Sequence, residues 1–526
     1  TEALIDIVSG EAQRDLRSPQ EVCVRARAKH PEWSETQFGD FTDGVNSAHM
    51  GAYGCSEEQS FMIKDRIERE LQKMGAFDKV ESLDTVELKA IRGIIAPSHW
   101  LRGYWEALYG PAVERVVEAM KGVAGRGHTV KGMTPDEKVA YLSSELDDAG
   151  PTVNGDGTAF ECMVRWQRRV RESNMFERLS PPEVRKQIRQ MGDLLSDRYY
   201  EVSDKFWSFM VEPLRLSGEF VTSIGNLFQQ FTMIFGAIER TSSIVERVER
   251  TFDERVQYIR RWAMTNPYAL EGDDSIIAHI PLSWTEQLKQ CFKNSGLDMK
   301  VVLADWWGAA GFCGCSMEAC RDGIYRIFKD PLEQLGRLTT LMDVTQDSSR
   351  GDPDLVDAKA ISYLQEMGHL PLLGAAALGI VERAGANIAR ICKRAGDALD
   401  NSRASRYLRE WWSHRKSLYG DHGAHTIEFS LDDLPAFIRE GRPDEFLVDK
   451  TAIEYSIMPE TVLSLHERIY QHFRYGRGKL VLPEVQPIIE RLRAIYAMTM
   501  EYVEGTRERA ERILDDRVVS TVRSCV

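Results

Sequence analysis

Residues 268–279 read Tyr-Ala-Leu-Glu-Gly-Asp-Asp-Ser-Ile-Ile-Ala-His, two apolar runs around Gly272-Asp273-Asp274. Such runs about a short polar turn predict a tight hairpin. Its tip carries two adjacent carboxylates, which repel and disfavour each other's ionisation. A cation relieves that repulsion, and hard divalent ions prefer oxygen ligands. Alone, Gly-Asp-Asp is also a common surface turn. Two upstream segments add weight. Asn154-Gly155-Asp156-Gly157-Thr158-Ala159-Phe160-Glu161 supplies two further carboxylates, Asp156 and Glu161. Ser217-Gly218-Glu219-Phe220-Val221-Thr222-Ser223-Ile224-Gly225-Asn226 is a run of small and polar residues. Carboxylates drawn from separate segments are what a pair of metal ions needs to stabilise the attacking and leaving oxygens of a displacement at phosphorus.

Elements must bring these segments together. The apolar spacing after Asn226 predicts a long amphipathic helix over 227–248. Residues 38–55 are Gly-rich and read as loop, whereas 57–74 are periodic and charged and 112–122 read as helix. Pro181-Pro182 opens a helix at a position where proline is tolerated. From 318 onward amphipathic helix dominates, for example at 358–367, 382–400, 485–502 and 504–519; residues 423–429 have some strand character. No internal repeat or low-complexity tract is evident.

The chain has 526 residues, 43% apolar and 28% charged, which suits a globular protein of several subdomains. No signal peptide is evident, and the longest nearly apolar run, 370–381, is too short to span a bilayer. The first residue is Thr1 rather than Met, as expected of a product cut from a larger precursor or of a trimmed chain. Nine cysteines, an odd number scattered over a long chain, point to a reducing compartment. Cys313, Cys315 and Cys320 cluster, with Cys291 and His279 upstream, but Cys-x-Cys-x4-Cys matches no standard zinc spacing. The net charge of −14 is awkward for a nucleic-acid partner, because phosphate contacts need Lys and Arg. Basic segments at 165–198, 403–416 and 474–479 could form a local channel within an acidic exterior.

In chain order the segments are Asp-x4-Glu, Ser-Gly-x3-Thr-x3-Asn and Gly-Asp-Asp. This resembles the palm motifs A, B and C of viral RNA-dependent RNA polymerases. The motif B form is most similar to positive-strand RNA viruses of the tombusvirus, nodavirus and hepacivirus-like groups. The flanks extend the resemblance over about 85–320. Lys89-Ala-Ile-Arg92, followed by Arg102, is similar to motif F; Gly296-Leu-Asp-Met-Lys300 looks like motif D; Gly311-Phe-Cys-Gly314 looks like motif E.

The resemblance implies an α+β right hand with fingers, palm and a large helical thumb, the palm being a small antiparallel sheet backed by helices. It implies an amino-terminal extension and fingers at 1–88, fingers at 89–152, palm at 153–317 with a fingers insertion at about 172–212, and thumb at 318–526. It further implies RNA-templated RNA synthesis from ribonucleoside triphosphates, with Mg²⁺ or Mn²⁺ on Asp156, Asp273 and Asp274. Asp156 and Asp273 are expected on neighbouring strands. Lys89, Arg92 and Arg102 would hold the triphosphate, and Lys300 would protonate pyrophosphate. Ser217 and Gly218 would track the template–product pair, while Thr222 and Asn226 face the ribose. Glu161 stands where the family usually has Asp, a longer carboxylate that either reshapes the pocket slightly or alters nucleotide selection, without removing a metal ligand. RNA template, nascent RNA and viral replicase proteins are the implied partners, and host cytoplasm, at membrane-associated replication sites, the implied location. A reverse transcriptase-like enzyme and a non-catalytic RNA-binding palm protein are the alternatives. Gly272 and Asn226 argue against the first, and intact Asp156, Asp273 and Asp274 against the second.

Overall fold

Antiparallel pairing of four short strands puts the acidic segments side by side. The strands are β1 (Thr152–Gly157), β2 (Tyr268–Glu271), β3 (Asp274–Ala278) and β4 (Met299–Ala304), in the order β2-β3-β1-β4. The computed structural model describes residues 1–10, 13, 15–30, 33–78, 93–122, 129–130, 133, 135–146, 150, 152–157, 160, 164–197, 200–203, 208–211, 215, 220–295, 299–313, 316–339, 353–397, 400, 402–415, 427–476 and 480–489; of Asp156 and Lys300 it describes the backbone. Helices dominate these residues, and the class is α+β with a small antiparallel sheet.

The chain divides into two compact units. The first is built from Thr1–Asp78, Arg92–Lys131 and Ala140–Gly314; the second is chiefly Cys315–Val526. Besides the acidic sheet, the first unit holds a second four-stranded sheet, from Lys73–Asp78, Gly93–Ala96, Tyr200–Ser203 and Ser208–Val211.

Two helices of the first unit, α1 (Glu35–Tyr53) and α2 (His99–Gly122), overturn the loop expected over 38–55. The start of α1 is fixed by a capping box, Ser34 with Gln37. Its glycines serve packing rather than turning. A side-chain carbon on Gly44 would lie 2.9 Å from the Tyr104 nitrogen, and one on Gly103 would lie 2.9 Å from the Phe41 carbonyl carbon. Bare backbone therefore lets α1 and α2 cross at close range, and tertiary contact outweighs the low helix propensity of glycine. Proline at 111 lies inside α2, which extends well upstream of the helix expected at 112.

Helix α3 (Trp166–Leu179) and the long helix α4 (Thr222–Glu246) complete the frame. Helix α4 starts five residues before the expected 227. It is buried along most of its length and packs Phe231, Phe235 and the β2 residue Tyr268 into one aromatic column, tilted and then edge-to-face, with centroid separations of 4.4 and 4.9 Å. Each such buried ring contributes roughly 1.5–3 kcal/mol. That column seats the sheet against α4.

The second unit is helical with one two-stranded ribbon, Ser316–Ala319 paired with Tyr325–Phe328. Its helices include α5 (Pro353–Met367), α6 (Leu373–Ala384), α7 (Ala386–Gly396) and α8 (Pro459–Tyr475). The continuous helix expected over 382–400 is broken at Gly385, whose φ is +50°. Residues 490–526, and with them the helix expected at 504–519 and most of that at 485–502, lie outside the described residues.

Candidate active site

The hairpin joining β2 to β3 has a two-residue turn, Gly272-Asp273. Gly272 has φ +60° and Asp273 does not share it, the pattern of a II′ turn, which requires glycine at its first central position. Asp273 thus lies in the turn and not on a strand, which corrects the expected placement. Asp274 opens the strand beside Asp156.

Register then lines up four residues. Glu271 pairs with Asp274, Asp274 with Asp156, and Asp156 with Lys300. One row crossing all four strands therefore carries three acids and a lysine. Directly opposed residues share a face, with Cα atoms about 4.5–5.5 Å apart. Asp273 and Asp274 are half-buried. The donor set at this end of the sheet is oxygen only, which suits Mg²⁺ or Mn²⁺. Among the described residues no cluster of three metal-binding side chains is assembled, and the side chain of Asp156 lies outside that set.

Neighbouring contacts hold the row in place. Ser275 Oγ donates to the Gly155 carbonyl at 3.0 Å, locking β3 to β1 one residue from the acids. A side-chain carbon on Gly155 would lie 2.7 Å from that Oγ and 2.6 Å from Met299 Cε. A larger residue there would push the Met299 and Ser275 side chains aside and disturb that bond. The Asn154 amide donates to the carbonyls of Ala310, at 3.2 Å, and Gly311, tying the segment similar to motif E to the central strand.

Helix α4 reaches the turn directly. The Gln230 side-chain amide donates to the main-chain carbonyl of Asp273. Asn226 lies one helical turn earlier on the same stripe, 2% exposed. Its Oδ1 has no hydrogen-bond partner among the described residues, nor has the Oε1 of Gln230. A buried amide oxygen left unsatisfied costs about 1–3 kcal/mol, so it marks a place where a donor is wanted.

The remaining expected residues are placed unevenly. Thr222 is the first residue of α4 and is half-buried. Arg102 sits in the first turn of α2, where burial lowers its pKa from the ordinary guanidinium value. Lys89, Arg92, Glu161, Ser217 and Gly218 lie outside the described residues, so the grouping of Arg102 with Lys89 and Arg92 does too. Part of the basic segment 165–198 is taken up by contacts within the protein. Arg169 is buried, Arg168 donates to the Ser295 carbonyl at 2.6 Å, Arg178 pairs with Glu2 at 2.8 Å, and Arg189 pairs with Glu177. Trp411, expected beside a basic surface, is buried and donates to Glu366 at 2.6 Å.

Sequence reasoning missed Gln230 and Glu271. Gln230 follows Asn226 by four residues, so the helical period alone could have flagged it. Glu271 faces Asp274 only through the register of a two-residue turn. Comparison with the known protein families and with curated proteins finds no match to this chain.

Proposed function

We propose that this chain is an RNA-dependent RNA polymerase of a positive-strand RNA virus, built as a right hand of fingers, palm and helical thumb. The observation that supports this best is the row of Asp274, Asp156 and Lys300 across one antiparallel sheet, beside the Gly272-Asp273 turn. Three chain segments, each similar to a different palm motif, lie side by side in that sheet.

The reaction is an in-line displacement. The primer 3′-hydroxyl loses its proton to water and attacks the α-phosphorus of a ribonucleoside triphosphate; the new P–O bond forms as the bond from that phosphorus to the α,β-bridging oxygen breaks, and pyrophosphate leaves. Asp156, Asp273 and Asp274 would hold Mg²⁺ or Mn²⁺, which when bound stabilises charge on the attacking and leaving oxygens. Lys300 donates a proton to the departing pyrophosphate, where its ammonium also offsets negative charge. Lys89, Arg92 and Arg102 bind the triphosphate by charge-assisted hydrogen bonds. The Oδ1 of Asn226 accepts a hydrogen bond from the ribose 2′-hydroxyl, satisfying an oxygen that has no partner among the described residues. Thr222 supports the same ribose, and Glu161 holds Asn226. Ser217 and Gly218 follow the template–product pair.

RNA template, nascent strand and viral replicase proteins are the partners in this reading, and the host cytoplasm is its location. No helix among the described residues is long and apolar enough to cross a membrane. Primer extension on an RNA template tests the proposal. Incorporation of ribonucleotides in strong preference to deoxyribonucleotides is expected. Preferred use of deoxyribonucleotides would instead indicate a reverse transcriptase, and RNA binding without extension a non-catalytic palm protein.

A further inference from the structure

The acidic sheet has two edges, and they differ. At β2, Leu270 is met by Thr129 through a parallel bridge. The other edge is β4, Met-Lys-Val-Val-Leu-Ala, which pairs with β1 residue for residue, from Thr152 with Ala304 to Gly157 with Met299. It has no bulge and no proline. Main-chain groups of a strand point alternately to its two sides, so every second residue of β4 directs its N–H and C=O away from β1. Among the described residues no main-chain hydrogen bond meets them. Two aliphatic side chains stand exposed on the same strand, Val302 at 50% and Leu303 at 39%, one on each face. On the inner strand β3, by contrast, Ile276 and Ile277 are buried. The exposed Asp305 follows β4 directly.

We infer that the outer edge of β4 is a docking site for an extended segment of a partner protein, which adds to the sheet as a fifth, antiparallel strand. The inference stands apart from the polymerase reading. Protein edges are ordinarily blunted by proline, bulges or charge. Here the one charge is Lys300, in register with Asp156. An open row of donors and acceptors recognises extended backbone, and the side chains beside it select the sequence. Val302 and Leu303 suit aliphatic or β-branched residues opposite them. Asp305 suits a basic residue at the amino-terminal end of the segment, because an antiparallel strand begins opposite the end of β4. A second copy of this chain fits the edge less well. Six residues span about 20 Å. One edge of that length cannot supply the roughly 800 Å² per partner of a stable protein pair, whereas an extended segment is held by main-chain bonds along the edge itself.

The test uses the full chain and a fluorescent peptide, Arg-Thr-Val-Val-Thr-Thr, with the same peptide methylated at every backbone nitrogen as control. Residue-resolved hydrogen exchange over 299–304 of the free protein is expected to alternate between slow and fast amides, and the peptide to slow the fast set. Val302→Lys and Leu303→Lys, both at exposed positions, are expected to weaken the peptide about fivefold or more without changing thermal unfolding, and methylation to abolish binding. Should either variant unfold, the exchange pattern and the methylated peptide decide, since neither needs a substitution. Uniformly slow exchange in the free protein overturns the open edge. Absence of binding at millimolar peptide overturns the docking site. Binding that survives methylation, or that both folded lysine variants leave unchanged, overturns it too, because the contact then involves neither the main chain nor this strand. Concentration-dependent dimerisation that slows the same amides assigns the edge to a second copy and overturns the partner segment.

Discussion

The side-chain amide of Gln230 donates to the main-chain carbonyl of Asp273, so the acidic turn hangs from α4 by a hydrogen bond. Gln230 is fully buried. Its amide orientation follows from the contact, because a flipped amide would set two oxygens against each other. Gln230→Leu is expected to lower stability by about 1–3 kcal/mol, the cost of an orphaned buried polar group. Gln230→Glu should be worse for both folding and elongation, because it turns a carboxylate toward a carbonyl beside two acids. Thermal unfolding and elongation rate check both. If neither variant differs from the parent, the bond does not hold the turn.

Asp273→Ala is expected to abolish polymerisation and leave RNA affinity nearly intact. Lost charge stabilisation of several kcal/mol corresponds to a rate reduction of roughly a thousandfold or more. In the proposed reading, RNA binding draws on phosphate contacts elsewhere. Primer extension and fluorescence anisotropy measure the two quantities, and near-normal elongation would sink the assignment.

Asn226→Ala should reduce discrimination between ribo- and deoxyribonucleotides. A site that bonds a hydroxyl rejects substrates lacking it, because its own buried polar groups are then unpaired. The ratio of kcat/KM for the two substrates is the informative quantity. An unchanged ratio places ribose selection elsewhere. Glu161→Asp, which keeps the carboxylate and shortens its reach, should retain activity.

Acid should destabilise the second unit in a defined window. His369, bonded to the Ile327 carbonyl at 2.6 Å, and His466, which accepts from the Leu372 N–H at 3.1 Å, are buried, and burial pushes both down to about 4 from 6.5. The neutral form is favoured in the folded state, so the stabilisation is complete above pH 6.5. It is lost as pH falls from 6.5 toward 4, where the unfolded chain binds the extra protons. Chemical unfolding across this range should show the decline, and His466→Asn should flatten it. A flat profile in the parent would mean that these imidazoles are not held neutral.

The pairing of the acidic segments was more legible in the sequence than the frame around it. Asp156, Asp274 and Lys300 were found from residue type and order, and strand pairing brought their backbones into one row. Asp273 was misplaced by one residue, because a strand end and a turn look alike when both are acidic. The 38–55 helix was missed for a physical reason. Composition counts glycine as a breaker, whereas Gly44 is needed where α1 meets the backbone of α2. That contact exists only in three dimensions, as do those of Glu172 with Arg215 and Gln229, residues of unremarkable spacing. Gly44→Ala should accordingly cost about 1–3 kcal/mol, as overpacking does, and more if the helices cannot separate.

The two-residue turn also carries an arithmetic constraint. Side chains on a strand alternate between faces, so the count of residues between Glu271 and Asp274 decides which face each acid takes. A single inserted residue at 272–273, with β3 shifted by one to keep its pairing, would carry Asp274 to the opposite side and bring Ser275 and its successors round with it. Chemistry here is encoded in parity as well as in residue type. The length of the turn thus sets which of the two aspartates stands opposite Asp156.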